Sequence, residues 1–175
     1  MKALALGGVP ATGKTTLMKS LISVLKPYAD FRYGLLRGSL CKKCAILGVY
    51  EKGEMFAGTD RLSMAVQSDY EKFVKRDTHH ILFEGDRLFT KKNLLSLVKT
   101  YDTKIIILEA DEQTLKERHL TRNDTQKETF LKSRVTKTNN IKNEPALKGK
   151  IEVFTVLNEK DLFKVRDNIC QWLNL

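Results

Sequence analysis

Short apolar runs alternate along the chain with longer segments in which apolar residues recur at helical spacing. Five runs have the continuous hydrophobicity and the length of buried strands, at residues 3–6, 45–50, 81–83, 105–108 and 151–156. Because strands that are apolar on both faces belong to parallel sheets covered by helices, this alternation predicts an α/β fold with a central parallel sheet. No linker or internal repeat divides the chain, so we predict a single domain over residues 1–175.

The amphipathic segments predict where the covering helices lie. One begins near Thr15 and ends before Pro27, a second begins after Gly58 with Thr59 as its N-cap, and a third spans residues 90–101. The stretch between the first helix and the second strand gives no clear pattern, and we assign it no element. Together these helices predict a layer of helices on each face of the sheet.

Three more helices are predicted in the C-terminal third of the chain. Asp111 and Asn158 are expected to cap the first and the last of them. Thr125 and Glu128 form a capping-box pattern that opens the middle one. The apolar residues expected on the buried side of the middle helix are Leu131 and Val135.

Composition limits the class of protein. The chain has 175 residues, of which 42% are hydrophobic and 30% charged, and this excludes a disordered or collagen-like chain. No apolar run reaches the roughly 20 residues that a membrane span needs. The N-terminus lacks the pattern of a secretory signal, and the three cysteines cannot all pair within one chain. We therefore expect a cytoplasmic protein without membrane association.

The positive charge is concentrated in two segments. The net charge is +10, with +7 over residues 1–50 and +5 over residues 112–150, while the two remaining segments each carry −1. Such segments predict surfaces that meet polyanions, either nucleotide phosphates or a nucleic-acid backbone. Solvated lysine-rich helix faces are the alternative.

A complete phosphate-binding pattern, G-x-x-x-x-G-K-[ST], follows the first strand and opens the first helix. Its glycines allow backbone N–H groups to face a phosphate, and the helix N-terminus adds the positive end of its dipole. Lys14 is expected to reach the β- and γ-phosphates, and the Thr15 hydroxyl to bind Mg²⁺. The residues predicted to bind the nucleotide are Gly8, Pro10, Ala11, Thr12, Gly13, Lys14, Thr15 and Thr16. The expected ligands are therefore ATP and Mg²⁺.

Beyond this loop, the chain resembles the P-loop kinases of nucleosides, nucleotides and polynucleotide ends. The chain has no Asn-Lys-x-Asp guanine signature, and it is short for an oligomeric ATPase. The strand that ends in Glu84-Gly85-Asp86-Arg87 is similar to the acidic strand end near Mg²⁺ in these kinases. The resemblance implies a three-layer sandwich with a helical lid, in which Glu84 and Asp86 serve the metal or take a proton. A turn with solvated Asp and Arg remains the alternative.

The segment from residue 112 to residue 142 resembles the lid of nucleotide kinases. Arg118 and Arg122 lie four residues apart and hence on one helix face. With Arg134 they are expected to clamp phosphates as the lid closes. An ordinary exposed basic face is the alternative.

Residues 31–77 correspond in the resemblance to the region that binds the phosphate acceptor. Asp60 is expected to orient or deprotonate an acceptor hydroxyl, and Arg61 to hold an adjacent phosphate. Arg37 and Arg87 are two further candidates for binding the acceptor. A helix cap explains Thr59 and Asp60 equally well.

Three segments together are similar to phage-encoded kinases that act on 5-hydroxymethyluracil within DNA, namely Gly48–Tyr50, Gly58–Ser63 and Phe83–Leu88. This resemblance implies a DNA base as acceptor and the host cytoplasm as location. The same residues are compatible with a small-molecule nucleoside or nucleoside-monophosphate kinase. An ATP-binding regulatory module without an acceptor is the alternative of another class.

Cys41 and Cys44 have C-x-x-C spacing, which occurs in zinc sites and in redox sites. A zinc ion needs two more ligands, and the sequence has no second C-x-x-C. We expect a reduced pair.

Overall fold

The computed structural model describes residues 1–51, 57–76, 79–121 and 127–174. One seven-stranded sheet runs through it, in the spatial order β2-β3-β4-β5-β1-β6-β7. The strands are β1 (Lys2–Gly7), β2 (Ala29–Tyr33), β3 (Leu36–Leu40), β4 (Cys44–Leu47), β5 (His80–Glu84), β6 (Asp102–Glu109) and β7 (Ile151–Thr155). The helices are α1 (Lys14–Leu25), α2 (Gln67–Arg76), α3 (Lys91–Thr100), α4 (Glu112–Thr121), α5 (Glu128–Lys142) and α6 (Glu159–Leu173). Two short 3₁₀ turns lie at Thr59–Arg61 and Pro145–Leu147.

The predicted parallel sheet is confirmed for five of these strands. β4, β5, β1, β6 and β7 are parallel to one another, so their carboxyl ends meet along one edge. Apolar side chains of α1 and α6 cover one face, and those of α2 and α3 cover the other. The molecule is therefore the predicted three-layer sandwich.

The antiparallel part of the sheet was not predicted. β2 and β3 form a hairpin that extends the sheet beyond β4. β2 lies at the edge and is largely exposed, so it lacks the continuous apolar run that identifies a buried strand. β4 ends at Leu47, earlier than expected, because the backbone turns at Gly48 with φ 110°.

The prediction of a helix directly after Gly58 is wrong. Residues 59–61 form a 3₁₀ turn, and the helix begins at Gln67. The Thr59 side chain does not cap a helix, because its hydroxyl donates instead to the backbone carbonyl of Glu84 at 2.9 Å. This buried hydrogen bond ties the turn to the end of β5.

The other predicted caps agree with the structure where it describes them. Asp111 accepts a hydrogen bond from the Thr114 amide at 2.7 Å, and Asn158 forms a capping box with Asp161. Thr125 lies outside the described residues, and the middle helix begins at Glu128. No helix in the described part of the chain is long and apolar enough to cross a membrane.

The predicted buried face of α5 is wrong at Val135, which is 46% exposed. The buried residues of this helix are Thr138 and Ile141. Arg134 and Lys137 of the same helix lie toward the end of β5, where they pair with Asp86. The inward face of α5 therefore carries both charged and apolar contacts, so apolar spacing alone did not locate it.

Candidate active site

The phosphate-binding loop connects the end of β1 to the start of α1. Gly13, with φ 97°, stands at the N-cap of α1, and no side chain caps the helix. The first turn also contains no acidic residue. The free N–H groups of this helix end are therefore available to an anion, as the sequence predicts.

Hydrogen bonds within the loop fix its shape. The Lys14 ammonium donates to the carbonyls of Gly8 and Val9, both at 2.8 Å. The buried Thr12 hydroxyl donates to the Val9 carbonyl at 2.9 Å. Lys14 is thus folded over the loop, where it can exchange these carbonyl oxygens for phosphate oxygens.

Glu84 lies beside the loop because β5 pairs directly with β1. Leu6 and Glu84 are register partners, and the Thr15 hydroxyl donates to Glu84 Oε1 at 3.1 Å. Glu84 is only 2% exposed, and this burial raises its pKa to about 7, with Asp60 and Asp86 adding to the effect and Lys14 opposing it. A buried carboxylate beside a threonine hydroxyl fits Mg²⁺, because the cation would compensate for the buried negative charge.

Asp60 approaches the same place from the 3₁₀ turn. Its carboxylate Oδ1 accepts a hydrogen bond from the Arg87 amide at 3.1 Å. Partial loss of solvation and the nearby Asp86 raise the pKa of Asp60, while the Arg87 amide and Lys14 oppose that shift. The structure therefore brings together Lys14, Glu84, Asp60 and Asp86, as the sequence predicts for an acidic site beside the loop.

Glycines allow the backbone segments of this site to lie so close together. A Cβ at Gly58 would lie 2.5 Å from Glu84 Oε1, and one at Gly48 would lie 2.3 Å from the Gly58 backbone. Val49 and Gly58 exchange backbone hydrogen bonds of 3.0 and 2.8 Å. The segments singled out in the sequence around Gly48, Gly58 and Glu84 are therefore neighbours in space.

This packing predicts a large difference between two glycine substitutions. Gly58→Ala should lower the free energy of unfolding by about 1–3 kcal/mol, since it combines a positive φ of 71° with a clash against Glu84. Gly149→Ala is the matched control, because Gly149 has a similar φ of 78° but open space around its Cβ position. Urea denaturation measures both. Equal losses of stability would contradict the close packing.

Two cations of α5 pair with Asp86. Arg134 Nε lies 3.1 Å from Asp86 Oδ2, and Lys137 Nζ lies 3.2 Å from Oδ1 and 2.9 Å from the Asp86 carbonyl. Asp86 thus faces α5, whereas Glu84 faces Thr15. Sequence reasoning missed Lys137, although its spacing of three residues from Arg134 places both on one helix face.

Arg118 contacts backbone, which differs from the expected clamp on the transferred phosphate. Its guanidinium donates to the carbonyls of Ala11, Val156 and Leu157, at 3.1 to 3.2 Å. It thereby connects α4 to the phosphate-binding loop and to the segment after β7. Arg122, its predicted companion, lies outside the described residues.

A cavity of about 170 Å³ lies between α1 and the β2–β3 hairpin, within the region that the sequence predicts to bind the phosphate acceptor. Its polar side chains are Asp30, Arg37, Ser39, Tyr50 and Glu51. The Tyr50 hydroxyl is buried, and its pKa is raised by that burial and by Glu84 and Asp60. Tyr50 therefore connects the cavity to the acidic site.

The remaining sequence candidates lie at the rim of this region. Arg61 pairs with Glu51 at 3.4 Å, and Arg87 contributes its amide to Asp60. Cys41 and Cys44 are free and buried, and burial raises the pKa of Cys44 to about 11. In the described ranges, no group of three His, Cys, Asp or Glu side chains is placed to hold a metal.

Comparison with solved structures identifies the same fold in known proteins. A sugar kinase from Janibacter sp. HTCC2649 matches at a TM-score of 0.53 and 11% identity, over 99% of this chain and 95% of that protein. A gluconokinase from Sinorhizobium meliloti 1021 matches at 0.52 and 9% identity, over 96% and 95%. No protein-family model and no curated protein sequence matches the chain. The chain therefore has a P-loop kinase-like fold.

Proposed function

We propose that this protein is an ATP-dependent kinase that transfers the γ-phosphoryl group to a hydroxyl of a small molecule. The observation that carries the proposal is the contact between Thr15 of the phosphate-binding loop and the buried Glu84. Together with Lys14 and Asp60, this contact supplies a loop for phosphates, a carboxylate for Mg²⁺ and a base for a hydroxyl.

The proposed chemistry assigns one role to each group. Lys14 leaves the loop carbonyls and neutralises charge on the transferred group. Thr15 and Glu84 would hold Mg²⁺, and the cation would offset the negative charge of the phosphates. Asp60 accepts the proton as the acceptor oxygen bonds to phosphorus and the bond to the β-phosphate oxygen breaks.

The cavity beside Tyr50 supports a small acceptor. Its volume of about 170 Å³ suits a compound of modest size, and its carboxylates and Ser39 hydroxyl suit binding of several hydroxyl groups. Arg37 would pair with a negatively charged substituent on such a compound. Two of the structural neighbours are a sugar kinase and a gluconokinase, whose names indicate small acceptors.

One labelling experiment tests this proposal. ATP labelled at the γ-phosphate is incubated with the protein and Mg²⁺, together with sugars and sugar acids, nucleosides, nucleotides or 5-hydroxymethylated DNA. We expect the label in a low-molecular-weight phosphate ester. ATP binding without label transfer to any member would instead favour a regulatory ATP-binding module.

Hydroxymethylated DNA is a second candidate acceptor, favoured by the net charge of +10. A DNA-binding surface gains affinity from dispersed Lys and Arg side chains through counterion release. This reading predicts that DNA binding weakens as salt rises, with a log–log slope of about −0.9 per neutralised phosphate on duplex DNA. Transfer of the label to DNA, together with DNA binding that weakens steeply as salt rises, would favour DNA as the acceptor. Undetectable DNA binding at low salt would exclude DNA as the acceptor.

The lid contact predicts the effect of removing Lys137. Lys137→Ala should lower kcat by about tenfold or more, because the cation that pairs with Asp86 at the edge of the acidic site is lost. Lys132→Ala is the matched control, since Lys132 lies on the same helix but pairs at the surface with Glu128. Steady-state kinetics with the acceptor found by labelling measures both. If the two variants have the same kcat, Lys137 has no part in the reaction.

A further inference from the structure

Arg118 of α4 joins two separate backbone segments, and its acceptors among the described residues are all carbonyl oxygens. Its Nη1 group donates to the Ala11 carbonyl of the phosphate-binding loop at 3.1 Å. Its Nη2 group donates to the carbonyls of Val156 and Leu157, which follow β7, at 3.2 and 3.1 Å. Because the guanidinium is a planar fork of several donors, a single side chain can hold both segments at once.

The segment after β7 is held in place by contacts other than Arg118. The Val156 amide donates to the Glu109 carbonyl at the end of β6, at 2.8 Å. The Leu157 amide donates to the carboxylate of Asp161, a member of the α6 capping box, at 3.0 Å. Since the sheet and α6 fix this segment, the guanidinium of Arg118 is tied on that side to regular structure.

On its other side, Arg118 contacts a backbone conformation that alanine rarely adopts. Ala11 has a φ of 65°, in the left-handed region, and is only 4% exposed. The other non-glycine residues described with a positive φ, Lys26 and Asn174, stand at the C-caps of helices, where this conformation is common. Ala11 ends no helix, so its conformation has to be stabilised by the contacts around it.

The bond from Arg118 also fixes the direction of the peptide group between Ala11 and Thr12. In a trans peptide, the carbonyl oxygen and the N–H group that follows it point in opposite directions. Because the Ala11 carbonyl faces Arg118, the Thr12 amide faces away from it. Arg118 therefore sets the direction of one of the loop amides that are available to a phosphate.

We infer that Arg118 is a positioning residue for the phosphate-binding loop, which holds the peptide between Ala11 and Thr12 in the orientation that binds ATP. In this role Arg118 acts through the loop and does not contact the transferred phosphate. The inference rests on the ATP binding of the proposed function, and it does not depend on phosphoryl transfer. Without Arg118 the loop would have to be ordered when the nucleotide binds, and the affinity would fall.

Calorimetric titration with Mg²⁺ and ATP tests the inference without any acceptor. Arg118→Ala should weaken ATP binding by about tenfold or more, because charged hydrogen-bond donors to the loop are lost. Arg118→Lys keeps the positive charge but lacks the fork, so it should bind ATP nearly as weakly. Lys116→Ala is the matched control and should keep the wild-type affinity, since Lys116 lies on the same helix and pairs at the surface with Glu112.

Two further measurements separate positioning of the loop from a direct clamp on the phosphates. In the nucleotide-free protein, Arg118→Ala should shift the amide NMR signal of Thr12, whereas loss of a clamp would leave that signal unchanged. Ala11→Gly should restore part of the ATP affinity of Arg118→Ala, because glycine adopts a positive φ at little cost. The same substitution should change the affinity less when Arg118 is present, and a double-mutant cycle measures this coupling.

The possible failures of the inference and of the proposed function differ. Wild-type affinity in Arg118→Lys, an unchanged Thr12 signal in nucleotide-free Arg118→Ala, or additive effects of Ala11→Gly and Arg118→Ala would overturn the positioning role alone. If the wild-type protein does not bind ATP, the proposed function fails and the inference fails with it.

Discussion

Replacement of Lys14 by alanine should lower kcat by a factor of about 10² to 10³ or more while leaving the fold intact. The Lys14 ammonium donates to the carbonyls of Gly8 and Val9 in the phosphate-binding loop, where it is placed to reach a phosphate. Stopped-assay kinetics with Mg²⁺ and ATP measures the loss, and circular dichroism verifies the fold.

Lys19→Ala is the control for the Lys14 variant. Lys19 lies on the same helix, but its side chain is on the exposed side, so its removal changes the net charge equally without touching the loop. Its kcat should stay near the wild-type value. A fully active Lys14→Ala protein would contradict the role assigned to the phosphate-binding loop.

Asp60→Asn should lower kcat by about 10² to 10⁴ while the affinity for Mg²⁺ and ATP is retained. Asn keeps the shape of the side chain and can still accept from the Arg87 amide, but it cannot take a proton. Calorimetric titration with Mg²⁺ and ATP separates binding from turnover.

Two comparisons make this result specific. Glu84→Gln should weaken the binding of Mg²⁺, because Glu84 and Thr15 are in contact and together would hold the ion. Asp167→Asn should have no effect, because that carboxylate pairs only with the surface residue Arg166 in the contacts resolved here. Near-normal turnover of Asp60→Asn would remove Asp60 from the chemistry.

The fold was largely predictable because buried parallel strands have a strong sequence signal. The runs that form β1, β5 and β6 are apolar throughout, and the structure buries them under helices on both faces. The hairpin of β2 and β3 escaped prediction because edge strands do not need a continuous apolar run. Local pattern thus identified the parallel strands, including β7 at one edge, and missed the antiparallel hairpin at the other edge.

The start of α2 shows how a tertiary contact overrides a local signal. Thr59 and Asp60 have the composition of a helix cap, yet the Thr59 hydroxyl bonds to the Glu84 carbonyl and Asp60 accepts from Arg87. Both partners lie more than 20 residues away in sequence, so spacing along the chain could not indicate them. The result is a 3₁₀ turn that positions a carboxylate at the site.

Sequence predicted the phosphate-binding loop of the candidate site well and the contacts made by α4 and α5 poorly. The residues from Gly8 to Thr15 form a contiguous motif, so the groups that would bind phosphate can be recognised from the sequence alone. The pairing of Arg134 and Lys137 with Asp86 depends instead on how α5 packs against the end of β5, which is a tertiary contact. Arg118 likewise binds carbonyl oxygens of the loop and of the segment after β7, and a helical spacing alone cannot distinguish this from a phosphate clamp.

The most direct test of the proposed kinase activity is ³¹P NMR of the protein with Mg²⁺, ATP and a fraction of small metabolites. The proposed function predicts loss of the γ-phosphate signal, appearance of ADP and growth of a phosphomonoester resonance, all abolished in Lys14→Ala. An unchanged spectrum, or release of inorganic phosphate alone, would contradict phosphoryl transfer to a small-molecule hydroxyl.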